Sequence, residues 1–151
     1  MIDNDFLDIT KDILENKVFN MLSLEDHHGS NRLSHSLKVA QEVYLDAKKK
    51  ELDYVRATRA ALLHDFFFRF ELNSPYGKGE LKEHPKVAVL NAIKYFDIDE
   101  KTQEMMINHM YPLAGTLPKS SEAKLICLVD KKVSIEEFLK YKAFKRSVKA
   151  R

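Results

Sequence analysis

Apolar residues return along this chain every three or four positions, in stretches separated by short polar breaks. Phe6, Ile9, Ile13, Leu14, Val18 and Leu22 line one face of a first helix over about 5–22. "LEDHHGSN" interrupts it, and Ser30 is placed to cap a second helix over about 31–50. The stripe of that helix is Leu33, Leu37, Ala40, Tyr44 and Ala47, widened by Val39 and Val43. Asp53 can cap a third helix over about 54–66, where Ala57, Ala60 and Ala61 permit close packing. Residues 67–82 read as a loop punctuated by Pro75, Gly77 and Gly79. "HPKVAVLNAIKYF" then opens a fourth helix with Pro85 in its first turn. "DIDE" reads as a capping box, Asp97 with Glu100, for a fifth helix that stops before Pro112. Ser120 can cap a sixth over about 121–132, and Ser134 with Glu137 forms another capping box for a last helix to about 147.

Nothing in this pattern needs a sheet. Four Gly, four Pro and few β-branched runs in 151 residues point the same way. The expected fold is all-α: a compact bundle of about six or seven helices in one domain over 1–151, with its core at about 30–133. A net charge of +2 does not suggest a nucleic acid or a membrane as partner. The single cysteine, Cys127, excludes an internal disulfide and fits a reducing compartment. No apolar run approaches the roughly 20 residues of a membrane span. The acidic start "MIDNDFLDITKDI" is unlike a signal peptide, so the expected location is the cytoplasm.

The polar residues that interrupt apolar stretches change the picture. In "ALLHDFFF", His64 and Asp65 sit side by side within an apolar run, and burying both costs free energy unless something compensates them. His35 lies near the start of the second predicted helix, His64 at the end of the third, His84 at the start of the fourth and His109 at the end of the fifth. If helices two and three pair antiparallel, and four and five likewise, all four imidazoles can meet at one end of the bundle. Asp130, in "LICLVDKKVS", interrupts another apolar stretch and needs a partner too. Helix geometry alone does not bring it to the same end.

In this order, His35, the pair His64–Asp65, His84, His109 and Asp130 resemble the motif of the HD-domain superfamily of metal-dependent phosphohydrolases. "NRLSHSLKVA", "AALLHD" and "LVDK" are similar to the family's local contexts, over about residues 30–133. The resemblance implies a helical HD-domain bundle with a metal site at one end. Carried over, His35, His64, Asp65 and Asp130 hold a first ion, and His84 and His109 hold a second, with Asp65 bridging. It implies His64 and Asp65 as the catalytic pair. Where many members have a glycine and a lysine soon after the aspartate, this chain has "FFFRF".

The implied chemistry suits the residue types. Imidazoles and carboxylates bind one or two divalent ions, with Mn, Fe, Co, Ni, Zn and Mg all admissible, and the absence of cysteine ligands argues against structural zinc. A metal-bound hydroxide then attacks phosphorus without a serine or cysteine nucleophile. The expected activity is hydrolysis of a phosphomonoester or phosphodiester, a nucleotide or a related small phosphorylated molecule. Arg32, one turn before His35, is a candidate phosphate contact, as are Arg69 and Lys131. The same ligands also serve diiron oxygenases of the HD type, and a non-catalytic metal- or nucleotide-binding module is a third reading. His27 and His28 read as exposed loop residues, Phe66–Phe68 as core and lid packing, and the basic tail from Lys140 as a solvated helix. Residues 67–83 and 111–119 are expected to shape the pocket, and the sequence leaves open whether the chain forms a homo-oligomer.

Overall fold

The computed structural model describes residues 2–150. Their α-helices are α1 (Asn4–Leu14), α2 (Lys17–Asn20), α3 (Arg32–Lys49), α4 (Tyr54–Leu63), α5 (Gly77–Phe96), α6 (Glu100–Ile107) and α7 (Ser121–Lys149). A two-residue hairpin, β1 (Asp26–His27) with β2 (Ser30–Asn31), adds a small antiparallel ladder that the apolar pattern did not predict. The fold is all-α. Among the described residues no helix is long and apolar enough to cross a membrane.

Polar caps set most helix starts. Asp53 accepts from the Arg56 amide at 3.2 Å and Ser120 from the Ala123 amide at 3.0 Å, both as expected. Elsewhere the cap is a neighbour of the expected residue. Asn31, not Ser30, opens α3 by accepting from the Ser34 amide at 2.8 Å. Asp97 is the left-handed C-cap of α5, with φ 47°, and Asp99 opens α6 by accepting from the Thr102 amide at 2.9 Å. The first predicted helix is divided, because Asn16 takes the Phe19 amide at 3.0 Å and restarts the chain as α2.

Two departures matter for the site. Helix α5 begins at Gly77, eight residues before Pro85, so Pro85 and His84 lie inside it. Proline removes one donor from a helix and does not always end it. Here Glu83 accepts the Asn73 and Ser74 amides at 3.0 Å each, tying the preceding loop to the helix. The two helices predicted beyond Ser120 are one, since Val129, Asp130, Val133 and Glu137 are all buried on α7. Burial of that face holds the helix through Ser134, which therefore caps nothing.

α3 and α4 pack most closely together, with Ala40, Ala47, Ala57 and Ala61 fully buried. The core continues through Ile13, Phe19, Leu22, Leu62, Met106 and Ile126. "FFF" belongs to this packing. Phe66 meets Phe19, Tyr95 and Phe96 at ring centroid distances of 5.5–5.8 Å. Phe67 stacks on His84 at 4.7 Å and carries the Arg32 guanidinium 3.7 Å from its ring centre.

A buried candidate metal centre

Five separate elements deliver the six motif residues to one place. His35 comes from the first turn of α3 and His84 from the middle of α5. His64 caps the C-terminus of α4, with Asp65 just beyond, so the pair follows the helix rather than lying in its last turn. His109 follows α6, and Asp130 sits on α7. All six are buried, none more than 6% exposed.

Asp65 stands between two sets of ring nitrogens. Its Oδ2 lies 3.4 Å from His64 Nε2 and 3.8 Å from His35 Nε2. Its Oδ1 lies 3.3 Å from both His84 Nε2 and His109 Nε2. Asp130 Oδ1 completes the first set, 2.8 Å from His35 Nε2 and 3.2 Å from His64 Nε2. His35, His64, Asp65 and Asp130 form one group able to hold a metal ion, and Asp65, His84 and His109 form another. Asp130, which helix geometry alone left unplaced, belongs to the first.

The tautomers follow from the outer hydrogen bonds. Carbonyl oxygens only accept, so a ring nitrogen bonded to one must carry the proton. His64 Nδ1 donates to the Ala61 carbonyl at 2.6 Å, His84 Nδ1 to Glu80 at 3.0 Å and His109 Nδ1 to Met106 at 2.9 Å. In the neutral ring each Nε2 is then the unprotonated nitrogen and turns a lone pair inward. His84 Nε2 and His109 Nε2 come within 3.0 Å of each other. Asp65 Oδ1, buried beside them, has no hydrogen-bond partner. Converging lone pairs and carboxylate oxygens repel unless a cation stands among them, so the donor set fits a divalent ion.

The same demand for positive charge appears in the protonation equilibria. Burial alone would push the His35 imidazole down, but the bonds to Asp130 and Glu137 lift it to about 9. His84 rises to about 9 in the same way, against burial, through Asp65 and Glu80. His64 is raised well above its ordinary value, because Asp65 and Asp130 outweigh its burial. His109 is lowered, burial outweighing its contact with Asp65. Burial favours the neutral acid at Asp65 and Asp130, yet the imidazoles hold both well below the usual carboxylate range. Protons and a metal ion compete for these nitrogens.

A cavity of about 820 Å³ opens onto Asp65 and Asp130. Arg32, Arg69 and Lys131 all line it, together with Met110 and with Phe67, Tyr76 and Leu113 from the two loops expected to shape a pocket. Arg32 is buried and donates to the Phe67 carbonyl at 2.6 Å. Arg69 donates to the Pro75 carbonyl at 2.7 Å, and Lys131 to the His109 carbonyl at 2.9 Å.

Two residues at the site escaped the sequence reading. Glu137 accepts from His35 Nδ1 at 3.0 Å. His27 is half-buried, its ring 4.1 Å from that of His35, while His28 is exposed as expected. Burial, with His35 beside it, pushes His27 down to about 4. Glu137 looked like a capping residue, and only its spacing of seven from Asp130, two turns on one helix face, offered a signal. Comparison of the chain with family models, with curated proteins and with solved structures finds no match in any of the three.

Proposed function

We propose that the chain is a metal-dependent phosphohydrolase of the HD superfamily, acting on a phosphomonoester or phosphodiester of a nucleotide or related small phosphorylated molecule. The observation that carries this reading is Asp65, which turns one oxygen to His35 and His64 and the other to His84 and His109. A carboxylate so placed suits two divalent ions, the first held with Asp130 and the second with the two later histidines. Ions bound there supply Lewis acidity toward phosphoryl oxygens and lower the pKa of water.

The rest of the site suits an anionic substrate. Arg32 is fixed over Phe67 at the cavity wall, one turn from His35, where its guanidinium can pair with a phosphoryl oxygen. Arg69 and Lys131 bring further positive charge to the same wall. Tyr76, Leu113 and Ile135 are exposed apolar surfaces of the cavity and suit the part of the substrate that carries the phosphate.

The test starts from protein purified without chelator. Elemental analysis is expected to find divalent metal. Metal-replete protein, offered nucleotides, dinucleotides and cyclic nucleotides, is expected to release phosphate or open an ester, with equal rates under air and under nitrogen. Metal-loaded protein that leaves every phosphate ester intact would overturn the reading. Consumption of dioxygen by the iron-loaded protein would replace it with oxygenase chemistry.

A further inference from the structure

Three of the four imidazoles are oriented by carbonyls three or four residues earlier in their own turn, Ala61, Glu80 and Met106. His35 is the exception, because its Nδ1 partner is a side chain 102 residues away. Asp130 Oδ1 meets its Nε2 at 2.8 Å and Glu137 Oε1 meets its Nδ1 at 3.0 Å. The two carboxylates are seven residues apart on α7, so one helix face grips both sides of the ring. Glu137 is 6% exposed, and its Oε2 lies 3.7 Å from His27 Nε2, with neither atom holding a hydrogen bond. Nothing in the capping of α7 uses this carboxylate, since the helix runs unbroken through Ser134.

Resting on the metal centre proposed above, we propose that Glu137 is a positioning residue for that centre. Its carboxylate accepts the hydrogen bond of His35 Nδ1–H, which fixes the ring orientation and leaves the Nε2 lone pair to the ion held with His64, Asp65 and Asp130. A carboxylate on the far nitrogen of a ligating imidazole raises the basicity of the near one and resists rotation of the ring. Glu137 has no contact with the group of Asp65, His84 and His109, so its effect falls on one of the two ions. His27 closes the outer side of the carboxylate at the cavity wall.

The experiment titrates the full metal-free chain with Co²⁺ alone, by calorimetry and by visible absorption. Wild type is expected to take two ions. Glu137→Ala is expected to bind one of them about 10- to 100-fold more weakly, with an altered cobalt spectrum, and the other unchanged. Glu137→Gln, whose amide oxygen still accepts the Nδ1 proton, is expected to restore most of the affinity, which a loss of packing would not allow. Glu137→Met, which keeps the bulk and removes the acceptor, carries the test if the alanine variant fails to fold. Wild-type binding in both the alanine and methionine variants, with two ions in wild type, overturns this proposal and leaves the metal centre standing. A third ion in wild type that disappears with Glu137 also overturns it, making the residue a ligand. A wild-type chain that takes no divalent metal overturns both readings together.

Discussion

The two ends of the α3–α4 pair balance charge in opposite ways. At the end carrying Lys48 and Asp53, the carboxylates meet cations of the chain itself. Midway along α4, Arg59 likewise grips Asp12 through both terminal nitrogens, at 2.7 and 2.9 Å. Arg56 spans Asp53 at 2.8 Å and Asp99 at 2.7 Å, and Lys48 meets Asp5 at 3.1 Å. These groups are part-exposed, and such pairs contribute about 0–1 kcal/mol each. At the other end Asp65 and Asp130 are buried among four imidazoles. Among the described residues, no lysine or arginine pairs with either. A buried charge without compensation costs several kcal/mol. Surface ion pairs are closed by the protein; the buried cluster is left to be closed by protons or by an ion from outside.

The largest expected effect comes from removing the residue common to both metal groups. Under the proposed function, Asp65→Ala is expected to lose metal from both groups and to cut hydrolysis by about three orders of magnitude, the scale of several kcal/mol of lost charge stabilisation. Elemental analysis and turnover check this together, and full metal content with unchanged turnover would erase the contrast between the two ends. A smaller effect is expected at a surface ion pair outside the cluster. Arg59→Ala, which frees Asp12 and the Ile9 carbonyl, is expected to destabilise the fold by roughly 1 kcal/mol. Urea unfolding at low and high salt checks it. The loss should shrink as salt rises, and metal uptake should stay at the wild-type level.

The smallest effect is a pH dependence at the end carrying Asp53, where Arg56 meets Asp99. Hydrogen bonds from the Thr102 hydroxyl and amide, joined by Arg56, hold Asp99 down to about 2, against about 3.8 for a free carboxyl. A depressed folded-state pKa contributes stability that is complete above the unfolded value and is lost as pH falls through the folded one. Asp99 should therefore weaken the fold between about pH 4 and pH 2. Urea midpoints for wild type and Asp99→Asn should converge as the pH falls through that window. A difference independent of pH would mean that Asp99 acts through shape rather than charge.

How much of this was legible in the sequence depended on whether the signal was local. The caps at Asp53 and Ser120 were readable because an N-cap is a bond to an amide three residues on. Where two candidates stand close together, as with Ser30 and Asn31 or Asp97 and Asp99, the local pattern carries no preference, and the cap falls on Asn31 and on Asp99. Gly77, Gly79 and Pro85 all argued for a late start to α5, since an interior glycine costs a helix about 1 kcal/mol and an interior proline about 3 kcal/mol. The face carrying His84, Pro85, Ala88 and Ala92 is buried against the bundle, and that burial outweighs them. The same reasoning explains Ser134 and Glu137, a capping box by sequence that helix packing overrides.

By itself the sequence determined the all-helical class, through apolar spacing and scarce breakers, and it named six candidate ligands, because histidine and aspartate inside apolar stretches need an explanation wherever they fall. Only the tertiary structure decided that the six meet, that Asp65 turns a separate oxygen to each histidine pair, and that Glu137 and His27 join them. Residues up to 102 positions apart touch there. No spacing rule reaches that far, since such contacts are set by how whole helices pack and by the cost of leaving a buried charge without a partner.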